Sequence, residues 1–246
     1  MAYERTDAIA IRHADFSETS RVVTFYTREF GRITTMAKGA KRRSSKVVGH
    51  IDLLSHCEIV FVSRTKRDAM HILTEAAVHE AFVPIRRDLT RFYAACHGVS
   101  LVENMTARED PNEELFEELL GLLRRLESGV DPAVALFAFE VRLLGQCGFM
   151  PELSRCVCCG KEERRHISFS PGRGGIVCGD CAPGEADLVE KVSPGALGFL
   201  DRLAQGKATR LDRISISAVA ANRIRAFLNQ YESHVLSKEL RTMRHL

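Results

Sequence analysis

Residues 20–39, SRVVTFYTREFGRITTMAKG, decide how the N-terminal part of this chain folds. Val22 to Thr27 and Ile33 to Met36 are two short runs of β-branched and aromatic residues, the composition of paired strands. Phe30-Gly31 supplies the turn between them. Upstream, DAIAIRH (7–13) alternates, with Ala8 and Ala10 on one side and Ile9 and Ile11 on the other. Downstream, LLSHCEIVFV (53–62) and AMHILTEAAV (69–78) complete five candidate strands. Five short strands in about eighty residues predict a small closed barrel, because closure removes the unpaired edges of an open sheet. Phe25 and Tyr26 fall on opposite strand faces, so one of them is expected to point outward.

Beyond Pro84 the apolar period becomes helical. Leu89, Phe92, Cys96, Val99, Val102 and Met105 recur three or four apart. A helix over 110–129 is expected to start at Asp110, as cap, with Pro111 in its first turn, and to close near Gly129. Asp131-Pro132 opens another, VDPAVALFAFEVRLLGQCGF (130–149), apolar nearly all round and therefore expected to be the most buried helix. Two further helices follow Ser193 and Ser217. The predicted class is α+β: a five-stranded barrel over 1–80, then a helical domain over 81–246 that carries a cysteine-containing insert at about 150–186.

That insert holds Cys156, Cys159, Cys178 and Cys181 in a C-x2-C-x18-C-x2-C pattern. Two residues between cysteines let one tight turn aim both sulfurs at one ion, and two such turns make a tetrahedron. Gly160 allows the left-handed backbone such a turn needs, and Cys158 falls at the wrong place to be a ligand. Four cysteines close the coordination shell and leave no position for a reactive water, so the reading is structural zinc. Arg155, Lys161, Arg164, Arg165 and Arg173 lie close in sequence and are expected to offset the thiolate charge.

Charge points to a different region for function. The net charge is only +3, but residues 28–67 contain ten basic and three acidic side chains. The stretch KGAKRRSSK places Lys38, Lys41, Arg42, Arg43 and Lys46 within nine residues without an acid, a pattern suited to phosphate backbones. Arg64, Lys66 and Arg67 are candidates to extend it. Phe16, Phe25, Tyr26, Phe30 and Phe61 are the aromatics available for base stacking, with Phe25 and Phe61 expected in the core. No P-loop, metalloprotease helix or deaminase signature occurs, which argues against an enzyme. Glu140, inside an apolar helix, is expected to reach the rim or to pair with a buried arginine. No apolar run approaches membrane-spanning length, and the charged N-terminus MAYERTDAIAIRH does not read as a secretory signal, so the expected location is the cytoplasm.

FEVRLLGQCGFMPELSRCVCCG (139–160), GGIVCGDC (174–181) and the run AIAIRHADFSETSRVVTFYTREFGRITTMAKGAKRRSSK (8–46) together resemble the RecO family of bacterial recombination mediators. The resemblance implies an N-terminal OB-fold, a helical domain with a zinc-binding insert, and binding of single- and double-stranded DNA with annealing of complementary strands. It also implies action with RecR, and in many bacteria RecF, to place RecA on DNA coated by single-strand binding protein (SSB). By position, Lys38, Lys41, Arg42 and Arg43 match the DNA-contacting region, and the four paired cysteines match the zinc ligands. The acidic SSB tail would dock on the helical domain, for which Arg223 and Arg225 are the basic candidates. The rival readings are a zinc-containing adaptor whose helical domain recruits partners while DNA contact is secondary, and a zinc-dependent enzyme acting on nucleic acid.

Overall fold

The computed structural model describes residues 2–38, 51–64, 70–162, 167–184, 193–206 and 210–236. It forms two compact units: Met1–Ala95 with Leu101–Glu127, and Cys96–Ser100 with Ser128–Leu246.

In the first unit, strands β1 (Tyr3–Asp15), β2 (Arg21–Thr27), β3 (Gly31–Ala37), β4 (His56–Val62) and β5 (His71–Glu80) occupy the five predicted positions. They close on themselves in the order β1-β2-β3-β5-β4, with β4 returning antiparallel to β1 and only β3 and β5 parallel. β1 is longer than DAIAIRH because it serves both neighbours: residues 3–9 pair with β4 and residues 8–15 with β2. Ala8, Ala10, Val23, Phe25, Ile33, Ile59, Phe61 and Leu73 fill the interior.

The expectation that either Phe25 or Tyr26 faces out is overturned: both are buried, as are both faces of β1 at Ala8, Ile9, Ala10 and Ile11. After α1 (Val83–Arg87) and α2 (Leu89–Met105), helix α3 (Glu113–Glu127) explains this. Ile9 stands opposite both Tyr26 and His56, which puts the three on one strand face, and the His56 ring packs edge-on against Phe116 of α3 at 6.1 Å. The sheet is therefore covered on its outer face there. Arg28 reinforces the join, with its guanidinium 4.9 Å above the Phe116 ring, 2.8 Å from Glu113 and bonded to Glu117. Arg124 closes the far end on Glu80.

Gly31 shows how tightly the connecting segment is drawn in. Its φ is +62°, and a Cβ there would lie 2.3 Å from the carbonyl oxygen of Asp110. Asp110 is thus held against the β2–β3 turn and does not cap α3 as expected. Asn112 does so, its Oδ1 accepting from the Leu115 amide at 2.9 Å.

In the second unit, α4 (Pro132–Gln146) is capped by Asp131 as predicted and is buried continuously from Val134 to Val141. α5 (Pro194–Ala204) and α6 (Ala218–Leu236) begin at Ser193 and Ser217, whose hydroxyls accept from Ala196 and Ala220. A two-stranded ribbon, β6 (Ser168–Ser170) and β7 (Gly175–Val177), leads into the second cysteine pair. No described helix is long and apolar enough to cross a membrane.

Candidate metal centre and nucleic-acid interface

The sulfurs of Cys156, Cys159, Cys178 and Cys181 converge, all within 4.8 Å of one another, with Cys159 and Cys178 at 3.7 Å. Two local structures aim them. In the first, the Cys156 carbonyl accepts from the Gly160 amide at 2.8 Å and Gly160 sits at φ +73°, so the chain reverses within one turn. In the second, the Cys178 carbonyl accepts from both Cys181 and Ala182 at 3.0 Å. Hydrogen bonding holds the two turns together, because the Cys178 amide donates to the Cys156 sulfur at 3.3 Å and the Val157 amide to the Ile176 carbonyl at 2.9 Å. Gly175 is required at that crossing: a Cβ would meet Val157 at 2.4 Å.

Four soft donors this close are compatible with a single metal ion. Burial works against ionisation of Cys156, yet amides of Cys178, Cys159 and Cys158 overcome it and bring the thiol down to about 6. Cys158 is exposed and stands outside the four. The flanking cations do less than expected for the sulfur charge. Lys161 is bound to Asp180 at 3.0 Å and Arg155 lies 3.9 Å from Glu162, so each is shared with a neighbouring carboxylate. Arg164 and Arg165 lie outside the described residues.

A second polar cluster in this unit was only partly visible in the sequence. Glu140 on α4 is fully buried and bonded to Arg225 on α6, the buried-arginine alternative of the sequence reading. Arg225 also lies over the Phe137 ring at 4.7 Å. Buried in this way, Arg225 cannot serve as a surface cation for an acidic tail; Arg223 is exposed. His97, in the Cys96–Ser100 part of α2, lies 3.0 Å from Glu140 and 3.5 Å from Glu232. Burial would lower the imidazolium, but bonds and charges from Glu140 and Glu232 outweigh it and hold His97 up at about 9. Glu232 is raised to about 7, first by burial and then by the Glu140 charge. Residues 97, 140, 225 and 232 share no motif; the isolated acid in FAFEVRLL was the one signal.

In the first unit, Lys38 is exposed in the turn that leaves β3. Lys41, Arg42, Arg43 and Lys46, with Lys66 and Arg67, lie outside the described residues; Arg64 is described and exposed. Part of the basic excess of 28–67 is taken up internally. Arg28 is matched by Asp7, Glu113 and Glu117, and Arg32 donates to the Thr106 carbonyl at 3.0 Å. Of the five candidate stacking aromatics, Phe25, Tyr26 and Phe61 are buried and Phe30 packs edge-on against Phe61 at 5.3 Å. Phe16 is exposed.

A closed five-stranded sheet, followed by helices and four converging cysteines, defines an α+β class of architecture. Comparison with known proteins narrows this. The family model described as Recombination protein O N terminal matches residues 1–82, and Recombination protein O C terminal matches residues 86–244. The chain is 36% identical over 200 residues to the DNA repair protein RecO of Rhodopirellula baltica, covering 80% of this chain and 73% of that one. It is 32% identical to the DNA repair protein RecO of Roseiflexus sp. (97% and 83% covered) and 31% identical to that of Desulforamulus reducens (98% and 93%). The chain belongs to the RecO family.

Proposed function

We propose that this chain is a DNA repair and recombination mediator without catalytic activity of its own. It would bind single- and double-stranded DNA, anneal complementary strands, and help load a RecA-type recombinase onto SSB-coated single strands, with RecR and the SSB C-terminal tail as partners and RecF as a further one. The observation that carries this reading is the match of both family models in order along nearly the whole chain, to relatives named as DNA repair proteins. The barrel, of OB-fold type, would present Lys38, Lys41, Arg42, Arg43 and Lys46 to phosphates. Screening two polyanions lowers their mutual repulsion, so strands held this way pair faster while their bases stay accessible. The site of action would be the cytoplasm, at the nucleoid during repair.

The ion we assign to the four cysteines is zinc in a structural role. A tetrahedral ion with Zn–S bonds of about 2.3 Å places its sulfurs about 3.8 Å apart, and Cys159 and Cys178 are 3.7 Å apart. Bound zinc would supply cross-linking of the two turns; the residues around it supply the amide donors that favour thiolates.

The test is binding of labelled oligonucleotides across a salt series, with strand annealing measured in parallel, with and without SSB. If four cations meet single-strand phosphates, log affinity falls against log salt with a slope near about −3. Replacing Lys41, Arg42 and Arg43 with Ala flattens it by about two units and weakens all sequences alike. An unchanged slope removes this stretch from the interface.

A further inference from the structure

The barrel carries two strongly exposed aromatic side chains, Tyr3 at 74% and Phe16 at 61%, at the opposite ends of β1. Their surroundings differ. Asp15 stands opposite Arg21, and Arg21 opposite Ala37, so the end of β1, the start of β2 and the end of β3 come together at one end of the barrel. Phe16 follows Asp15 and Lys38 follows Ala37. Two strand spacings, about 10 Å, separate the points where these residues leave the sheet. Lys38 therefore stands at the same end of the barrel as Phe16, whereas Tyr3 lies at the other end of its strand.

The loop holding Phe16 is ordered by its own hydrogen bonds. The Phe16 and Ser17 amides donate to the Ser20 carbonyl at 3.0 and 3.2 Å, and the Ser17 hydroxyl accepts from the Ser20 amide at 3.1 Å. A large apolar ring is thus held in water on a short, fixed turn, which lowers the ordering entropy lost when a partner covers it. The local charges are mixed: Arg12 and Lys38 are exposed, Asp15 is paired with Arg21 at 3.4 Å, and Glu18 is exposed. What this end offers is a flat apolar face near the exposed Lys38, the combination that holds an unpaired base while the backbone is neutralised.

We propose that Phe16 is a base-stacking residue that lets this end of the barrel hold single-stranded in preference to duplex nucleic acid. The inference rests on the DNA-binding reading above and adds a residue and a strand preference to it. Bases in a duplex are already stacked, so Phe16 has no free face to meet there.

The full chain contains no tryptophan, so Phe16→Trp gives a single indole reporter at the site. Expected results are quenching of that emission by oligo-dT, and little change with a hairpin duplex bound to saturation. In parallel, Phe16→Ala should weaken oligo-dT binding about 5- to 100-fold with an unchanged salt slope, because a stacked base is lost and no phosphate contact is. Duplex affinity should stay within about twofold, and Tyr3→Ala should leave both affinities unchanged. Equal loss on both substrates, no loss on oligo-dT, or unchanged emission at saturating oligo-dT would each overturn the assignment while leaving the basic stretch in place. If the unmodified chain binds no oligonucleotide, the DNA-binding reading falls and this inference with it.

Discussion

Changing Glu140 to Gln tests whether the buried cluster His97–Glu140–Arg225–Glu232 holds the second unit together. Glu140 is fully buried, accepts from Arg225 and lies 3.0 Å from His97. Gln keeps the volume and removes the charge. Glu232, 3.5 Å from the imidazole, is then the remaining carboxylate of the cluster. Removing one partner of a buried ion pair costs about 3–5 kcal/mol, because the other charge stays desolvated and uncompensated. At about 2–4 °C per kcal/mol for a chain of this size, Tm should fall by about 6–20 °C. Adding Arg225→Met should return part of that loss, giving a coupling energy above about 1 kcal/mol in a double-mutant cycle followed by circular dichroism. The pH dependence supplies an independent check. His97 is raised from 6.5 to about 9, so its contribution is complete below pH 6.5 and is lost as pH rises through 9. Glu232 is a carboxyl raised from 4.5 to about 7, so the folded state holds its proton longer and stability falls between those values. Both slopes have the same sign, and Glu140, held below its ordinary value despite burial, acts oppositely only in acid. Unfolding free energy should therefore decline from pH 5 to 9, and His97→Gln should remove the upper part of that decline. A loss below about 1 kcal/mol for Glu140→Gln, an additive cycle, or a His97→Gln profile matching the parent would refute the reasoning.

Two further outcomes follow from the geometry. With zinc on the four cysteines as proposed, chelation or Cys178→Ser should release it and lower the unfolding cooperativity of the second unit, whereas Cys158→Ser should keep one metal per chain by elemental analysis; equal losses from both variants would contradict the ligand set. Gly31→Ala combines a φ of +62° with a 2.3 Å contact to the Asp110 carbonyl, and should cost more than about 2 kcal/mol in urea unfolding. Behaviour like the parent would mean that the β2–β3 turn and the 106–112 segment are not held together.

The strands were legible because β-branched runs and turn residues act locally, and the caps of α4, α5 and α6 because a single oxygen decides each. Tyr26 was not legible. Its strand face looked free until Phe116, ninety residues away in sequence, covered that side of the sheet. Asp110 failed as a cap for the same reason: its backbone is committed to Gly31, and Asn112 is left to cap the helix. The four cysteines were readable because metal-ligand spacing is local on each side of the ribbon. His97 and Glu232 were not, since nothing near either residue announces a partner on another helix.

These contacts also separate cations that can act from cations already committed. Arg28, Arg32 and Arg225 count equally with Lys38 in any tally of charge, yet each is held by acids, a carbonyl or an aromatic face within its own unit. Neutralising a phosphate with one of them would first require breaking that contact. Lys38 is exposed and makes no ion pair among the described residues. A salt slope reports only cations that exchange counterions for phosphates. Replacing Arg28 or Arg225 should therefore lower stability and leave the slope alone, whereas replacing Lys38 should move the slope and leave stability alone. The DNA-binding reading stands on that dissociation.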